Sequence, residues 1–142
     1  MVITKQFEIE KIEQLLVNEL LPIACRVDGE GLYPREVMQA LGREGAYRLS
    51  GVENPTKKRL ELIELTAEYC LSTSFLIWCQ TTAITFINDS ASVFLRQSLL
   101  PKLESGEILA GTALSNPMKY YAGMEAIRLK AVPTEGGYVV NG

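Results

Sequence analysis

The most constraining feature of this sequence is a run of 20 residues without a charge, from Tyr69 to Asn88. A helix of about 20 apolar residues is long enough to span a membrane. Eight residues of this run are polar, however, and a lone span would find that density costly. They are Ser72, Thr73, Ser74, Gln80, Thr81, Thr82, Thr85 and Asn88. We therefore interpret the run as the central helix of a soluble domain, flanked by protein on most sides.

The composition of the chain excludes several classes of function. The sequence has 142 residues, of which 47% are hydrophobic and 22% charged, as in one soluble folded domain or a part of one. The net charge is −3, and no basic run exceeds Lys57–Arg59, so neither nucleic acid nor an anionic membrane is an expected partner. There is no histidine, which removes the commonest general base and every histidine-containing metal site.

The cysteines and the N-terminus indicate a reducing compartment. The chain has three cysteines, an odd number, and none of them has Cys-x-x-Cys spacing; they are Cys25, Cys70 and Cys79. Neither a disulfide framework nor a thiolate metal site is therefore predicted. The N-terminus becomes acidic at Glu8 before any apolar region develops, so we expect no signal peptide and a cytoplasmic location.

Helical periodicity dominates the first half of the chain. Apolar residues recur every three or four positions from Phe7 to Val27, which predicts one helix with a buried face. Gly29 and Gly31 supply a left-handed end for this helix. A second, short helix is predicted from Pro34, because proline suits the first helical position, and it loosens at Gly42.

Capping signals predict the later helices. Asn54-Pro55 combines a cap with a proline just inside the helix and so predicts the start of a third helix. The uncharged run from Tyr69 to Asn88 is the next helix. Asp89-Ser90 is the predicted cap of a further helix. This helix is predicted to restart at Pro101 and to end at Gly106. The sequence therefore predicts a bundle of four to five helices.

The pattern changes at Ile108, after which short strands are predicted. Ile108–Ser115 and the alternating stretch Ala126–Val132 each predict a strand. Glu135–Gly137 predicts a hairpin turn, and Tyr138–Val140 begins a returning strand before Asn141-Gly142, another hairpin signal. Three short strands leave unpaired edges, so we expect a truncated β-domain. The alternative is a small α+β domain that its last strand caps.

The predicted fold class is therefore mainly α, followed by the first strands of an incomplete antiparallel β-domain. The predicted helical domain covers residues 1–106, and the predicted β-domain begins over residues 107–142.

Several segments resemble the acyl-CoA dehydrogenase family. Asp28–Gly42 is similar to that family's loop and second helix, and Leu100–Glu107 is similar to its link into a flavin-binding β-domain. Ala113–Pro117 stands where the family has an alanine, hydrophobe, Thr, Glu, Pro motif, and Gly136–Gly142 is similar to the turn and strand that follow. The resemblance extends from about Ile9 to Gly142. It implies the N-terminal part of a longer flavoprotein.

The resemblance also implies chemistry. It implies FAD as cofactor and oxidation of a CH–CH group in acyl-CoA or a related small molecule, by a homo-oligomer. The family's flavin contacts fall by position on Thr112, Leu114 and Ser115. The family's acyl pocket falls on Trp78, Cys79, Thr82 and Phe86. The family's catalytic base is a glutamate of a later helical bundle, so no residue of this chain inherits a catalytic role.

Two departures from the family keep other interpretations open. Asn116 replaces the usual glutamate, and Met118–Gly123 replaces a glycine-rich loop that touches the flavin pyrophosphate and CoA. The loss of small residues removes the close approach of backbone to phosphate. Lys119 either offers a phosphate a point charge or is a solvated loop lysine. The alternatives are a flavin-dependent monooxygenase-type relative that does not use CoA, and a non-catalytic shortened helical module that assembles with a partner subunit.

Overall fold

The computed structural model describes residues 9–142, so Phe7 and Glu8 of the first predicted helix lie outside the described residues. The prediction of a mainly helical chain with a small antiparallel sheet near the C-terminus is confirmed. Contacts divide the chain into two compact units, one ending at Gly111 and the other covering Thr112–Gly142. The functional division into a helical domain and a flavin-binding β-domain stays a prediction.

The first unit is entirely helical apart from its connections. Its elements are α1 (Ile9–Leu15), a π-helical turn (Leu16–Leu20), a 3₁₀ turn (Leu21–Ile23), α2 (Ala24–Glu30), α3 (Arg35–Arg43), α4 (Pro55–Ala67), α5 (Leu71–Asn88), α6 (Val93–Ser98) and α7 (Leu100–Glu104). The core consists of buried apolar side chains from these helices and from the turn after α3. Its largest members include Ile12, Leu16, Met38, Leu41, Tyr47, Leu62, Ile77 and Leu103.

The first predicted helix is interrupted in its middle, which corrects the expectation of one regular helix. Leu21 donates its backbone N–H to the carbonyl of Leu16, five residues back, and a 3₁₀ turn follows. Pro22 explains the change, because it has no N–H to donate and its ring displaces the carbonyl four residues earlier. The predicted glycine end is confirmed at Gly31, which adopts φ +70° as the cap of α2.

The helix starts follow local capping chemistry. The start at Asn54-Pro55 is confirmed, because Asn54 Oδ1 accepts a hydrogen bond from Lys57 N at 3.0 Å. The cap predicted at Asp89-Ser90 is wrong by two residues. Asp89 ends α5, and the hydroxyl of Ser92 accepts from Leu95 N at 3.3 Å to begin α6. Ser90 holds the intervening turn by accepting from Ser92 N.

Two side chains, one from α4 and one from α7, hold the turn between α3 and α4. Lys58 is 8% exposed and donates from Nζ to the carbonyls of Gly45 and Arg48, at 3.1 and 2.7 Å. Glu104 accepts hydrogen bonds from the backbone N–H groups of Leu49 and Ser50, at 2.9 and 2.8 Å. These side chains satisfy backbone groups that the turn leaves without helical partners. They tie α4 and α7 to the same turn.

The second unit contains α8 (Ser115–Tyr121), β1 (Lys130–Thr134) and β2 (Gly137–Asn141). The strands form an antiparallel hairpin in which Lys130 faces Asn141 and Thr134 faces Gly137. The turn predicted at Glu135–Gly137 is confirmed, with Gly136 at φ +85°.

The strand predicted over Ile108–Ser115 is wrong. Residues 108–114 have no regular structure, and Ser115 begins α8. Ile108 and Ala110 bond to the side chain of Gln80 in α5 instead of to a neighbouring strand. Pro117 is compatible with α8 because the first helical turn needs no N–H at that position.

The strand predicted over Ala126–Val132 begins only at Lys130. Asn116 explains the late start, because its Nδ2 donates to Ala126 O and its Oδ1 accepts from Arg128 N, both at 3.0 Å. The backbone of residues 126–128 is thereby turned toward a side chain instead of a strand. Among residues 9–142, no helix is both long and apolar enough to cross a membrane.

Candidate functional site

The uncharged helix α5 is the element on which the candidate site is built. Cys70 caps it with Sγ, which accepts from Thr73 N at 3.4 Å. Ser74 and Gln80 face the protein interior, where Ser74 Oγ donates to Ile63 O in α4 at 2.7 Å. One side of α5 is therefore committed to packing against the first unit.

The other side of α5 carries a mostly apolar stripe. Helical spacing of three or four residues places its members on one face, with one flanking cysteine. We call this set the α5 stripe; it consists of Leu71, Phe75, Trp78, Cys79, Thr82 and Phe86. Phe75 and Phe86 are 61% and 51% exposed, and the rings of Phe75 and Trp78 stack with centroids 5.5 Å apart. Large apolar side chains in contact with solvent in this way mark interaction or ligand surfaces.

Thr82 is the polar member of the α5 stripe, and its hydroxyl is unusual. The neighbouring threonines donate to carbonyls of their own helix: Thr81 to Ile77 O and Thr85 to Thr81 O, each at 2.9 Å. Thr82 is only 7% exposed, and its Oγ1 has no hydrogen-bond partner among the described residues. A buried hydroxyl without a partner costs about 1–3 kcal/mol, and such groups call for an explanation in terms of a ligand, water or function.

A groove adjoins the N-terminal end of the α5 stripe. Leu71 and Phe75 form one wall of it, and Val27, Leu32 and Tyr33 form the other. Its volume of about 490 Å³ falls in the range of small-molecule sites. Sequence reasoning missed Leu71 and Phe75, although both stand at helical spacing before Trp78 on the same uncharged helix.

The four residues predicted to line an acyl pocket thus lie on a single face of one helix. Trp78 and Cys79 are partly buried, Thr82 is buried and Phe86 is exposed. Their role as a pocket stays a prediction.

The three predicted flavin contacts lie in the second unit. Thr112 and Leu114 belong to an irregular segment, and Ser115 is the first residue of α8. The expected strand end, with free N–H and C=O groups, is therefore replaced by a helix start. The carbonyl of Leu114 accepts the helical bond of Met118 N at 3.0 Å. Ser115 is exposed. The assignment of these three residues to flavin stays a prediction.

The segment after Pro117 is held by a network of charges. Glu125 accepts from Lys119 Nζ and from Arg128 Nη2, each at 3.0 Å, and from Asn116 Nδ2 at 3.3 Å. Lys119, the candidate phosphate charge, is thus paired with a carboxylate. Asn116, which stands where the related family has a glutamate, closes the loop between α8 and residue 128.

These residues fit FAD only in part. The hydroxyls of Thr112 and Ser115 suit the polar edge of a flavin ring. The pyrophosphate is not accommodated by the same unit, because close approach to phosphate needs small residues and exposed N–H groups. Tyr120 and Tyr121 stand exposed on α8 at that point of the sequence. At that point of the sequence the second unit therefore has a helix with two exposed tyrosines in place of a loop of small residues.

Because of this charge network, the stability of the loop from Asn116 to Arg128 is expected to decrease at acidic pH. The hydrogen bond from Lys119 holds the pKa of Glu125 below its ordinary value; partial desolvation opposes this, while Arg128 and Asn116 reinforce it. A carboxyl whose pKa is lower when folded stabilises the fold above its unfolded pKa and loses that contribution as pH falls through the folded pKa. We expect the loop from Asn116 to Arg128 to loosen only below the ordinary glutamate pKa of 4.5.

Carbon-detected NMR of the Glu125 carboxyl measures this titration directly. The Arg128 amide, which Asn116 holds, is expected to shift with the same midpoint. In Lys119→Met the midpoint should move up toward 4.5, because the largest cause of the lowered pKa is removed. A midpoint that is the same in both proteins would contradict the assignment.

Comparisons of the chain with protein-family models, with curated proteins and with solved structures find no match. The resemblance to acyl-CoA dehydrogenases therefore stays a prediction from the residues that carry it.

Proposed function

We propose that this chain is the N-terminal part of an acyl-CoA dehydrogenase-like flavoprotein, an oxidoreductase acting on a CH–CH group. The observation that carries the proposal is the α5 stripe. The residues that the resemblance assigns to the acyl pocket, Trp78, Cys79, Thr82 and Phe86, occupy one face of an uncharged helix whose other side is packed. A charge-free face with exposed aromatic rings suits an acyl chain, which forms no hydrogen bonds of its own.

The unpartnered hydroxyl of Thr82 supports the same proposal. Small-molecule sites combine mostly apolar walls with a few polar groups that orient the ligand. Thr82 supplies such a group in the middle of the stripe. This hydroxyl is itself buried, so a ligand would reach it only after a neighbouring side chain of the stripe moved aside.

The cofactor of the proposed reaction is FAD, which accepts the hydride in flavin chemistry of this kind. Thr112 and Ser115 are the groups of this chain proposed to reach the flavin ring. Because Tyr120 and Tyr121 stand where the related family has small residues, we propose that residues elsewhere hold the pyrophosphate. No residue here is proposed as the catalytic base. We further propose a cytoplasmic location, from the cysteine usage and the N-terminal sequence, and a homo-oligomeric assembly, which the family resemblance implies.

A second candidate function is a flavin-dependent monooxygenase-type relative that does not use CoA. The observation that favours it is the helix α8, which places Tyr120 and Tyr121 where the related family has a glycine-rich loop. Lys119, the nearest candidate for a CoA phosphate, is engaged by Glu125 at 3.0 Å. This candidate keeps the flavin and an apolar substrate and gives up recognition of CoA.

Titration of the labelled chain with octanoyl-CoA and with octanoate, followed by amide NMR, tests both candidates. We expect shifts of the α5 stripe amides with octanoyl-CoA and about tenfold weaker binding in Phe86→Ser, because an apolar contact is lost. Phe94→Ser is the matched control, since Phe94 is an exposed phenylalanine of α6 (74% exposed), outside the stripe. Equal affinity for octanoate and octanoyl-CoA would favour the second candidate.

Two outcomes bear on the non-catalytic alternative. Absence of any shift in α5 with either ligand would contradict both flavoprotein candidates and leave the shortened helical module. Tight one-to-one binding of FAD by the chain would exclude that module.

A further inference from the structure

A small polar cleft lies between the start of α4 and the end of α5. Its volume is about 210 Å³, below the range of sites for drug-sized ligands, so it suits a molecule of few heavy atoms. We call it the α4–α5 cleft, and every residue that lines it belongs to the first unit. Most of its lining side chains are polar; they are Thr56, Arg59, Thr85, Asn88 and Asp89.

Arg59 is the cation of the α4–α5 cleft. Its guanidinium is half-buried and donates from Nη1 to the Thr85 hydroxyl at 3.4 Å, and it forms no ion pair with another residue of the described range 9–142. A guanidinium has five N–H donors in a planar fork that matches the two oxygens of a carboxylate. Most of the donors of Arg59 are therefore available to a carboxylate that enters the cleft.

Asp89 is the anion of the same cleft. It follows the last residue of α5, and Oδ1 of its carboxylate accepts from Asn88 Nδ2 at 3.1 Å. The partial negative charge at the C-terminal end of α5 adds to the charge of Asp89. Arg59 and Asp89 line one cleft without forming an ion pair with each other. A molecule that carries both a carboxylate and an ammonium group can therefore fill the space that separates them.

We propose that the α4–α5 cleft binds a small zwitterion, an α-amino acid with a short apolar side chain. Its carboxylate accepts hydrogen bonds from Arg59, and its ammonium group donates to Asp89. The apolar side chain is placed against Leu49 and Ile84, which are buried and also line the cleft. These contacts join α4 to α5 through the ligand, so binding stabilises the packing of the two helices. The site is separate from the α5 stripe and requires neither flavin nor acyl-CoA.

Titration of the labelled chain with L-alanine, propionate and ethylamine, followed by amide NMR at constant ionic strength, tests the proposal. Propionate lacks the ammonium group of alanine, and ethylamine lacks its carboxylate. We expect shifts of the Thr85 and Asn88 amides with alanine and a Kd on the order of 1–10 mM, because the ligand is small. Propionate and ethylamine should each bind at least about tenfold more weakly, since each loses one charged contact.

Two variants assign the charged contacts to their residues. Arg59→Gln is expected to weaken alanine binding at least about tenfold and to leave ethylamine binding unchanged. Asp89→Asn should weaken alanine to the same degree and leave propionate binding unchanged. Arg96→Gln is the matched control, because Arg96 is an exposed arginine of α6 that does not line the cleft, and its Kd should stay within about twofold of the unsubstituted chain. These expectations follow from the strength of charge-assisted hydrogen bonds.

Three outcomes would overturn the proposal. The first is the absence of any shift at Thr85 and Asn88 with about 100 mM L-alanine. The second is equal affinity for alanine and propionate, which would show that Asp89 contributes nothing. The third is equal weakening by Arg59→Gln and Arg96→Gln, which would show a general effect of charge. If Arg59→Gln does not fold, Arg59→Lys keeps the charge without the planar fork and is expected to weaken alanine binding about threefold or more.

Discussion

Replacement of Gly42 by alanine is expected to lower the free energy of unfolding by about 3 kcal/mol or more, because α3 has no space for a side chain there. A Cβ at Gly42 would lie 2.5 Å from both Cα and N of Gly106 and 2.6 Å from the carbonyl carbon of Ser105. All three atoms are backbone, so no rotamer change can relieve the overlap. The turn after α7 would have to move away from α3.

The contact is reciprocal, which limits relaxation. Gly106 adopts φ +74°, and a Cβ there would lie 3.0 Å from the carbonyl oxygen of Gln39 in α3. The left-handed conformation and the close approach both require glycine at Gly106. The backbones of α3 and of the turn after α7 are thus in contact at a pair of glycines. A Cβ on either glycine would require these two segments to separate.

Thermal unfolding followed by tryptophan fluorescence measures the effect, since Trp78 is the single tryptophan of the sequence and lies in the first unit. We expect the Tm of Gly42→Ala to fall by roughly 10–20 °C. Gly29→Ala is the matched control, because Gly29 also lies within a helix and a Cβ there meets nothing within 4 Å. Alanine should stabilise that position by about 0.5–1 kcal/mol. A Gly42→Ala protein as stable as the unsubstituted chain would contradict the backbone contact.

Replacement of Gln80 by leucine is expected to cost about 3–5 kcal/mol of unfolding free energy, because it leaves the carbonyl of Ile108 and the N–H of Ala110 without partners and removes one of the hydrogen bonds to Leu103 O. Gln80 is fully buried, and its Nε2 donates to Leu103 O at 3.0 Å and Ile108 O at 3.1 Å. Its Oε1 accepts from Ala110 N at 2.7 Å. One side chain of α5 thereby anchors the end of α7 and the irregular segment that follows.

Two variants separate lost hydrogen bonds from lost packing. Thr81→Val also removes a buried polar group of α5, but the Thr81 hydroxyl bonds only to carbonyls of its own helix, Ile77 and Trp78. We expect a cost below about 1 kcal/mol for it. Gln80→Glu keeps the shape and places a carboxylate against two carbonyls, so its stability should rise as pH falls and the carboxyl becomes protonated. Urea denaturation at neutral and acidic pH measures all three variants. A Gln80→Leu protein within 1 kcal/mol of the parent chain would contradict the anchoring role.

The candidate site was predictable in part. Spacing alone places Trp78, Thr82 and Phe86 on one face of a helix. The absence of charge predicted that protein would flank this helix on most sides. The sequence did not distinguish Thr82 from Thr81, because both are threonines of the same helix. Only the packed structure shows that Thr81 bonds to its own helix while the Thr82 hydroxyl has no partner in the described residues.

The sequence by itself determined what depends on neighbours within a few residues. The cap at Asn54, the left-handed end at Gly31 and the hairpin turn at Gly136 are local, because each hydrogen bond or positive φ involves residues at most six positions apart. Helical periodicity likewise predicted the mainly helical fold. These features required no knowledge of the rest of the chain.

Only the tertiary structure decided which conformation is adopted by segments whose local sequence is compatible with more than one. Ile108–Ala110 has strand-like composition, but a buried glutamine about 30 residues earlier takes its hydrogen bonds. Residues 126–128 alternate like a strand, but Asn116 takes theirs. Gly42 and Gly106 are 64 positions apart, and their contact exists only once α3 and α7 have packed. A backbone group binds whichever partner the fold brings within about 3 Å, and sequence distance places no limit on which partner that is.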